Sequence, residues 1–283
     1  MAIFHVDYTN GSNSNDGSAA NPYATVVYAI ETNALTTGDT VKVAGSAPVL
    51  VESVATLKGK SGADAQTLLT PTDLTGSIST GDIVKIGSPF TAFTEMVAEV
   101  TAISATEITF YESLYLPGTL GSGNYSISTQ AMAVQSTAGT FETFTNAPIG
   151  QVLIEGGYNT AFTSIIGRTL MERDGIGAGS SSGQCFKTKA ANNNINTYRF
   201  ENFGFFKWQK PIQGEFGGSN FVDNIVVYMA STDMLSYYGN LWNHSGDNGN
   251  LYVINCSSPF GNQNAYFSNF INAGYSPYFN VEC

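Results

Sequence analysis

Residues 6–46, VDYTNGSNSNDGSAANPYATVVYAIETNALTTGDTVKVAGS, carry the pattern that decides the fold. Just upstream, Ile3, Phe4 and Val6 make a brief apolar strand, and TNGSNSNDGSAAN (9–21) is a turn-rich loop. Asn21 before Pro22 reads as an N-cap followed by proline at the first helical position. Val26, Val27, Ile30 and Ala34 then recur at helical spacing, and Gly38 closes the segment. Val41 and Val43 alternate in GDTVKVAG as the next strand. The order is strand, polar loop, one short helix, strand.

From about Leu68 to Gln130 the pattern changes to short alternating strands: GDIVKIG, MVAEVTAIS, EITFYESL and NYSIS. Four or five such strands at roughly ten-residue spacing predict a small antiparallel barrel or sandwich inserted at 68–130. After about Met132 strands resume, with Val152, Leu153 and Ile154 in the first, and GIGAGSSSGQ (175–184) reads as a loop. Downstream, an apolar residue, any residue, Asn and an apolar residue recur as FENF, VDNI, VINC and FSNF. Their asparagines, Asn202, Asn224, Asn255 and Asn269, are spaced by 22, 31 and 14. The first gap suits one coil of a β-solenoid and the second a coil with the longer loop YYGNLWNHSGDNGN. The last is too short for a coil and puts Asn269 on another face or in a terminal cap.

Val6, Asp7, the Gly/Asn/Asp-rich loop to Asn21, then Pro22, Tyr23, Thr25, Ala29, Ile30, Gly38, Asp39 and Val41 resemble the N-terminal signature of the pectate-lyase-like superfamily of right-handed parallel β-helix proteins. The resemblance covers about 45 residues. It implies that the helix caps the open end of the solenoid and blocks strand addition there. The superfamily holds polysaccharide lyases and hydrolases, and also bacteriophage tail spikes, fibres and other virion proteins that use the helix as a shaft. The strands around Ile78 to Ile86, VTAIS and EITF resemble small barrels of phage structural proteins. The roughly 150 residues after the insertion are fewer than a polysaccharide-degrading solenoid normally has.

Only 12% of the 283 residues are charged, against roughly 25% in an average soluble domain, whereas 12% are aromatic. With 18 Phe and 15 Tyr the chain has ample burial capacity and is not disordered. A formal charge of -11 repels a phosphate backbone, which excludes nucleic acid as a partner. MAIFHVDYTNGS has no basic and apolar regions of a secretory signal, and no apolar run spans a membrane, so cytoplasmic synthesis without membrane insertion is expected. Cys185, Cys256 and Cys283, odd in number and far apart, read as reduced structural thiols.

Catalysis on such a scaffold needs a carboxylate pair. Glu201 and Asp223 each precede a repeated Asn and would stack about 5 Å apart on adjacent coils. The plainer reading makes them surface acids between inward-facing neighbours. Calcium-dependent lyase chemistry, as in the resembled family, needs several Asp and an Arg base. The arginines singled out are Arg168, Arg173 and Arg199, and Glu172, Arg173 and Asp174 read as a solvated turn. His5 and His244 have no ligand partners at metal spacing, and GIGAGSSSG lacks the Lys and helix of a phosphate loop, so no metal and no cofactor are expected. Phe205, Phe206, Trp208, Tyr237, Tyr238 and Trp242 stand in or beside loops, as glycan platforms or protein interfaces do, although burial is the commoner fate of Phe.

The expectation is an all-β protein: a short right-handed parallel β-helix with an N-terminal capping helix and an inserted antiparallel barrel. Residues 1–67 form the cap and first strands, 68–130 the barrel, and 131–283 the coils and C-terminal cap. The function expected is a non-enzymatic bacteriophage virion protein, a tail fibre, spike or capsid decoration, contributing to host attachment. It would be a homotrimer contacting other virion proteins and a host-surface glycan, located in the virion. The alternatives are a polysaccharide depolymerase and a glycan-binding module.

Overall fold

The computed structural model describes residues 1–45, 49–61, 65–87, 95–110, 124–129, 134–136, 140–144, 151–173, 184–189, 197–206, 210–215, 220–223, 226–228, 242–245, 251–254, 271–273 and 279–282. Among these the chain is all-β with one helix.

Strand β1 (Ile3–Val6) pairs in parallel with β2 (Thr40–Ala44), Phe4 aligned with Val41 and Val6 with Val43. The helix between them, α1 (Val26–Thr32), starts later than the Asn-Pro signature predicts. Its N-cap is Thr25, whose Oγ1 accepts from the Tyr28 amide at 3.2 Å, and its C-cap is Asn33 rather than Gly38. Asn21 and Pro22 precede a still extended stretch, because Tyr23 forms a bridge with Val6 and so covers the free edge of β1. Val26, Ala29 and Ile30 turn the apolar face of α1 onto Val6, Val41, Val43 and Phe144.

The next strands are β3 (Val49–Ser61), β4 (Ala65–Leu69), β5 (Ile83–Gly87), β6 (Glu95–Ile103), β7 (Glu107–Phe110) and β8 (Asn124–Thr129). All neighbours are antiparallel, and the pairing order β3-β4-β7-β6-β5-β8 returns to β3 as a closed barrel. Leu68, Val84, Ile86, Val100, Ile108, Phe110 and Ile127 are buried there. The barrel begins at Val49, so the expected boundary at 67/68 falls inside β4. The misplacement has a physical cause: β3 is a long strand that mixes apolar residues with Glu, Ser, Thr, Lys and Gly and carries three register breaks, and its apolar alternation is blurred.

Beyond the barrel come β9 (Val134–Ser136), β10 (Thr140–Phe144), β11 (Gln151–Tyr158), β12 (Thr169–Arg173), β13 (Gln184–Lys189) and β14 (Thr197–Glu201). They are followed by β15 (Phe203–Phe206), β16 (Lys210–Glu215), β17 (Asn220–Asp223), β18 (Val226–Tyr228), β19 (Trp242–Ser245) and β20 (Leu251–Ile254), then β21 (Ile271–Ala273) and β22 (Phe279–Glu282). These strands, with β1 and β2, make three parallel sheets. The seven-stranded sheet runs β1-β2-β11-β14-β17-β20-β22, the five-stranded β10-β13-β16-β19-β21, and the four-stranded β9-β12-β15-β18. From β9 to β20 the chain visits four-, five- and seven-stranded sheets in strict rotation.

Each visit places an apolar residue in line with the last. Val41, Ile154 and Phe200 are all fully buried, and the register continues to Val222, Val253 and Val281. Phe144, Phe186, Phe200, Phe203 and Phe205 pack within one cluster, with Phe186 5.4 Å from Phe200 and edge-on to Phe203 at 5.6 Å. The rotation requires a corner between β14 and β15, and Asn202 makes it at φ 60, a left-handed backbone that Asn tolerates better than branched residues. This is the physical role of Asn202 in the FENF stretch. Asn224, Asn255 and Asn269 lie outside the described residues, as do Cys256, Cys283 and the GIGAGSSSG loop.

Candidate functional site

Alternation along β11, β14 and β17 sends one set of residues inward and the other outward. Reading the outward register across the seven-stranded sheet gives Lys42, Glu155 and Glu201 in one column, and the backbone register continues from Glu201 to Asp223. Parallel neighbours are spaced about 4.8 Å apart, so the acids occupy successive rungs, as expected for Glu201 and Asp223. Glu155 adds a third acid. The repeat pattern missed it because the corner residue after Glu155 is Gly156 instead of Asn. The signal was the alignment of Ile154-Glu155 with Phe200-Glu201.

Stacked acids repel, and the surroundings show how the repulsion is offset. The Arg199 guanidinium, two residues along β14, ion-pairs with Glu201 through Nε and Oε1. The Tyr158 hydroxyl donates to Glu155 Oε2 at 2.5 Å, and Lys42 Nζ lies 4.6 Å from the centre of the Tyr158 ring. Burial, the hydrogen bond to Glu155, and the charges of Glu155 and Glu201 all push the Tyr158 phenol well above its ordinary value, so it stays a donor. The Glu201 side chain is 16% exposed and Arg199 41%, so a solvent-borne group can reach the pair. The loop after β11 borders this patch. Gly157 at φ 83 bends the chain, Phe162 packs 4.7 Å from His5 and 6.5 Å from Tyr158, and Ile165 and Ile166 project into solvent. The described side chains offer the carboxylates of Glu155 and Glu201, the Arg199 guanidinium, the Lys42 ammonium and the Tyr158 phenol on a rigid face, suited to hydroxyl-rich ligands.

The aromatic residues distribute differently from the loop expectation. Phe205 is fully buried, aligned with Met171 and Val227, and is a core residue. Phe206 lies on β15 itself, in register with Glu172 and Tyr228. Trp242 is on β19, in line with the buried Ile212. Trp208, Tyr237 and Tyr238 fall outside the described residues. Glu172 and Arg173 end strand β12 instead of forming a turn. His5 faces Gly17 O, and burial lowers its pKa. Cys185 is a buried free thiol whose pKa burial raises. Among the described residues no cluster of three metal-ligating side chains occurs, and no helix is long and apolar enough to cross a membrane.

What the fold defines is an all-β chain with a single short helix among its described residues. No family model matches it, and no curated protein matches it. Solved structures similar to it include the tailspike Gp54 of Acinetobacter baumannii bacteriophage AP22, determined in complex with A. baumannii capsular saccharide. That likeness is 13% identical over 78% of this chain and 47% of the tailspike, with a TM-score of 0.27. A rhamnogalacturonan lyase is 13% identical over 90% of this chain and 56% of its own, with a TM-score of 0.26. The chain spans about half the length of these structures, and at such scores neither lends it an activity.

Proposed function

We propose that this chain is a structural component of a bacteriophage particle, a short right-handed parallel β-helix with a capping helix and an inserted barrel, engaged in host-surface attachment. The observation that carries the reading is the strict rotation of the chain through three parallel sheets with unbroken apolar columns. A stack of this kind is a stiff body with few free edges, and parallel crossovers are right-handed in about 98% of cases. The low charge and abundance of Gly, Asn, Ser, Thr and Tyr support an exposed particle component. Gold-labelled antibody against the chain should decorate purified virions at one location, and sedimentation should give a trimer. Virions that carry none of the protein would overturn the assignment.

A second reading rests on the register of Glu155, Glu201 and Asp223: cleavage of a host glycan, since acids on adjacent rungs start from a strand spacing of about 4.8 Å, close to the carboxyl separation of retaining glycosidases. Incubation with capsular polysaccharide or lipopolysaccharide, assayed for reducing ends and unsaturated uronates, separates the two. Turnover that disappears in Glu201→Gln or Asp223→Asn establishes the enzyme and removes the non-enzymatic reading.

A further inference from the structure

The first amides of a helix have no acceptor within it. In α1, Thr25 serves Tyr28, and the amides of Val26 and Val27 donate to Oε1 and Oε2 of Glu142 at 3.2 and 2.8 Å. The Tyr8 hydroxyl donates to Oε1 of the same carboxyl at 2.8 Å. Glu142 comes from β10, more than a hundred residues along the chain, and is only 2% exposed. It holds an interior register position where the following coils place Phe186 and Ile212. One carboxyl therefore ties together the loop after β1, the start of α1 and the first strand of the five-stranded sheet.

Among the described residues, the titratable groups acting on it are Tyr8 from the loop and Cys185 from β13, and burial raises both, so they stay neutral near pH 7. Among the described residues no cation pairs with the carboxylate. We infer that Glu142 is a proton-operated latch, which docks the N-terminal cap tightly on the coils while protonated and loosens it once ionised. Either partner can donate in the Tyr8 contact, so the protonated carboxyl keeps all three partners. Burial pushes the Glu142 carboxyl up to about 7 from 4.5, against the hydrogen bonds from Tyr8, Val27 and Val26, which pull it down. The folded value lies above the unfolded one. Docking is therefore strongest below about pH 4.5 and weakens as pH rises through 7, by about 300-fold in equilibrium constant. His5 on β1 works in the opposite direction, since its lowered value removes stability as pH falls.

Amide hydrogen exchange at Val26 and Val27, corrected for intrinsic rates, tests this between pH 5 and 8.5. Protection in the native protein should fall across that range toward the 300-fold limit, and in Glu142→Gln it should stay flat. Tyr8→Phe, which removes a donor favouring the carboxylate, should move the midpoint upward. Protection that is independent of pH in the native chain, or pH dependence surviving in the Gln variant, overturns the latch. Should the Gln variant not fold, carbon-13 titration of the Glu142 carboxyl in the native protein decides, and a midpoint near 4.5 refutes it.

Discussion

At the scale of the residue, the corners govern what can be substituted. Asn202 at φ 60 joins β14 to β15, and Gly157 at φ 83 sits at the register break near the end of β11. Asn202→Gly should change stability by less than about 0.5 kcal/mol, whereas Asn202→Val should cost about 1–3 kcal/mol in chemical denaturation. Gly157→Ala is worse placed, since a Cβ there would stand 2.2 Å from the Gly167 carbonyl oxygen as well as requiring a left-handed backbone. The repeated asparagines were visible in the sequence because a polar residue in an apolar context stands out. Glu155 was not, because glycines follow it where Asn follows Glu201, and the repeated Asn that marks the pattern is missing there. Glu142 was hidden for another reason. In TFETF (140–144) an acid in an alternating strand reads as solvent-facing, and only the distant α1 amides explain its burial.

At the scale of the element, α1 shows how a local signal yields to tertiary structure. Asn-Pro followed by an amphipathic run is a helix start by propensity, yet the chain stays extended through Tyr23 because bridging Val6 protects the β1 edge. The cap that matters is therefore Thr25. Thr25→Ala should destabilise the protein by about 1 kcal/mol, and Asn21→Ala, whose bonds are made by its backbone, should stay within about 0.5 kcal/mol. Urea denaturation followed by far-ultraviolet circular dichroism distinguishes the two caps. The strands after α1 were legible because their entry is chemical. In TTGD (36–39) and STGD (79–82) a glycine with positive φ precedes an aspartate whose carboxylate takes the amide three residues back, at 2.8 and 2.7 Å, and launches β2 or β5.

At the scale of the whole molecule, the barrel and the three sheets keep separate cores. The buried cluster joining α1 to the coils runs from Val6 to Ile212 without a barrel residue. Calorimetry should resolve two transitions. Ile86→Ala should lower one and Phe200→Ala the other, each costing about 2–5 kcal/mol within its own unit. The division was legible from the change in strand spacing, though the blurred pattern of β3 hid where it starts. The register of the three sheets has a mechanical consequence. Every bond between neighbouring strands runs in the direction in which the strands succeed one another, and Glu201, Asp223 and Ile254 mark rungs separated by 22 and 31 residues of chain. Tension applied across the stack loads a single rung at a time. Each rupture pays out about 80–110 Å of thread, at roughly 3.5 Å per residue, for a few ångströms of stack, so the body yields like a reel and absorbs work at every turn.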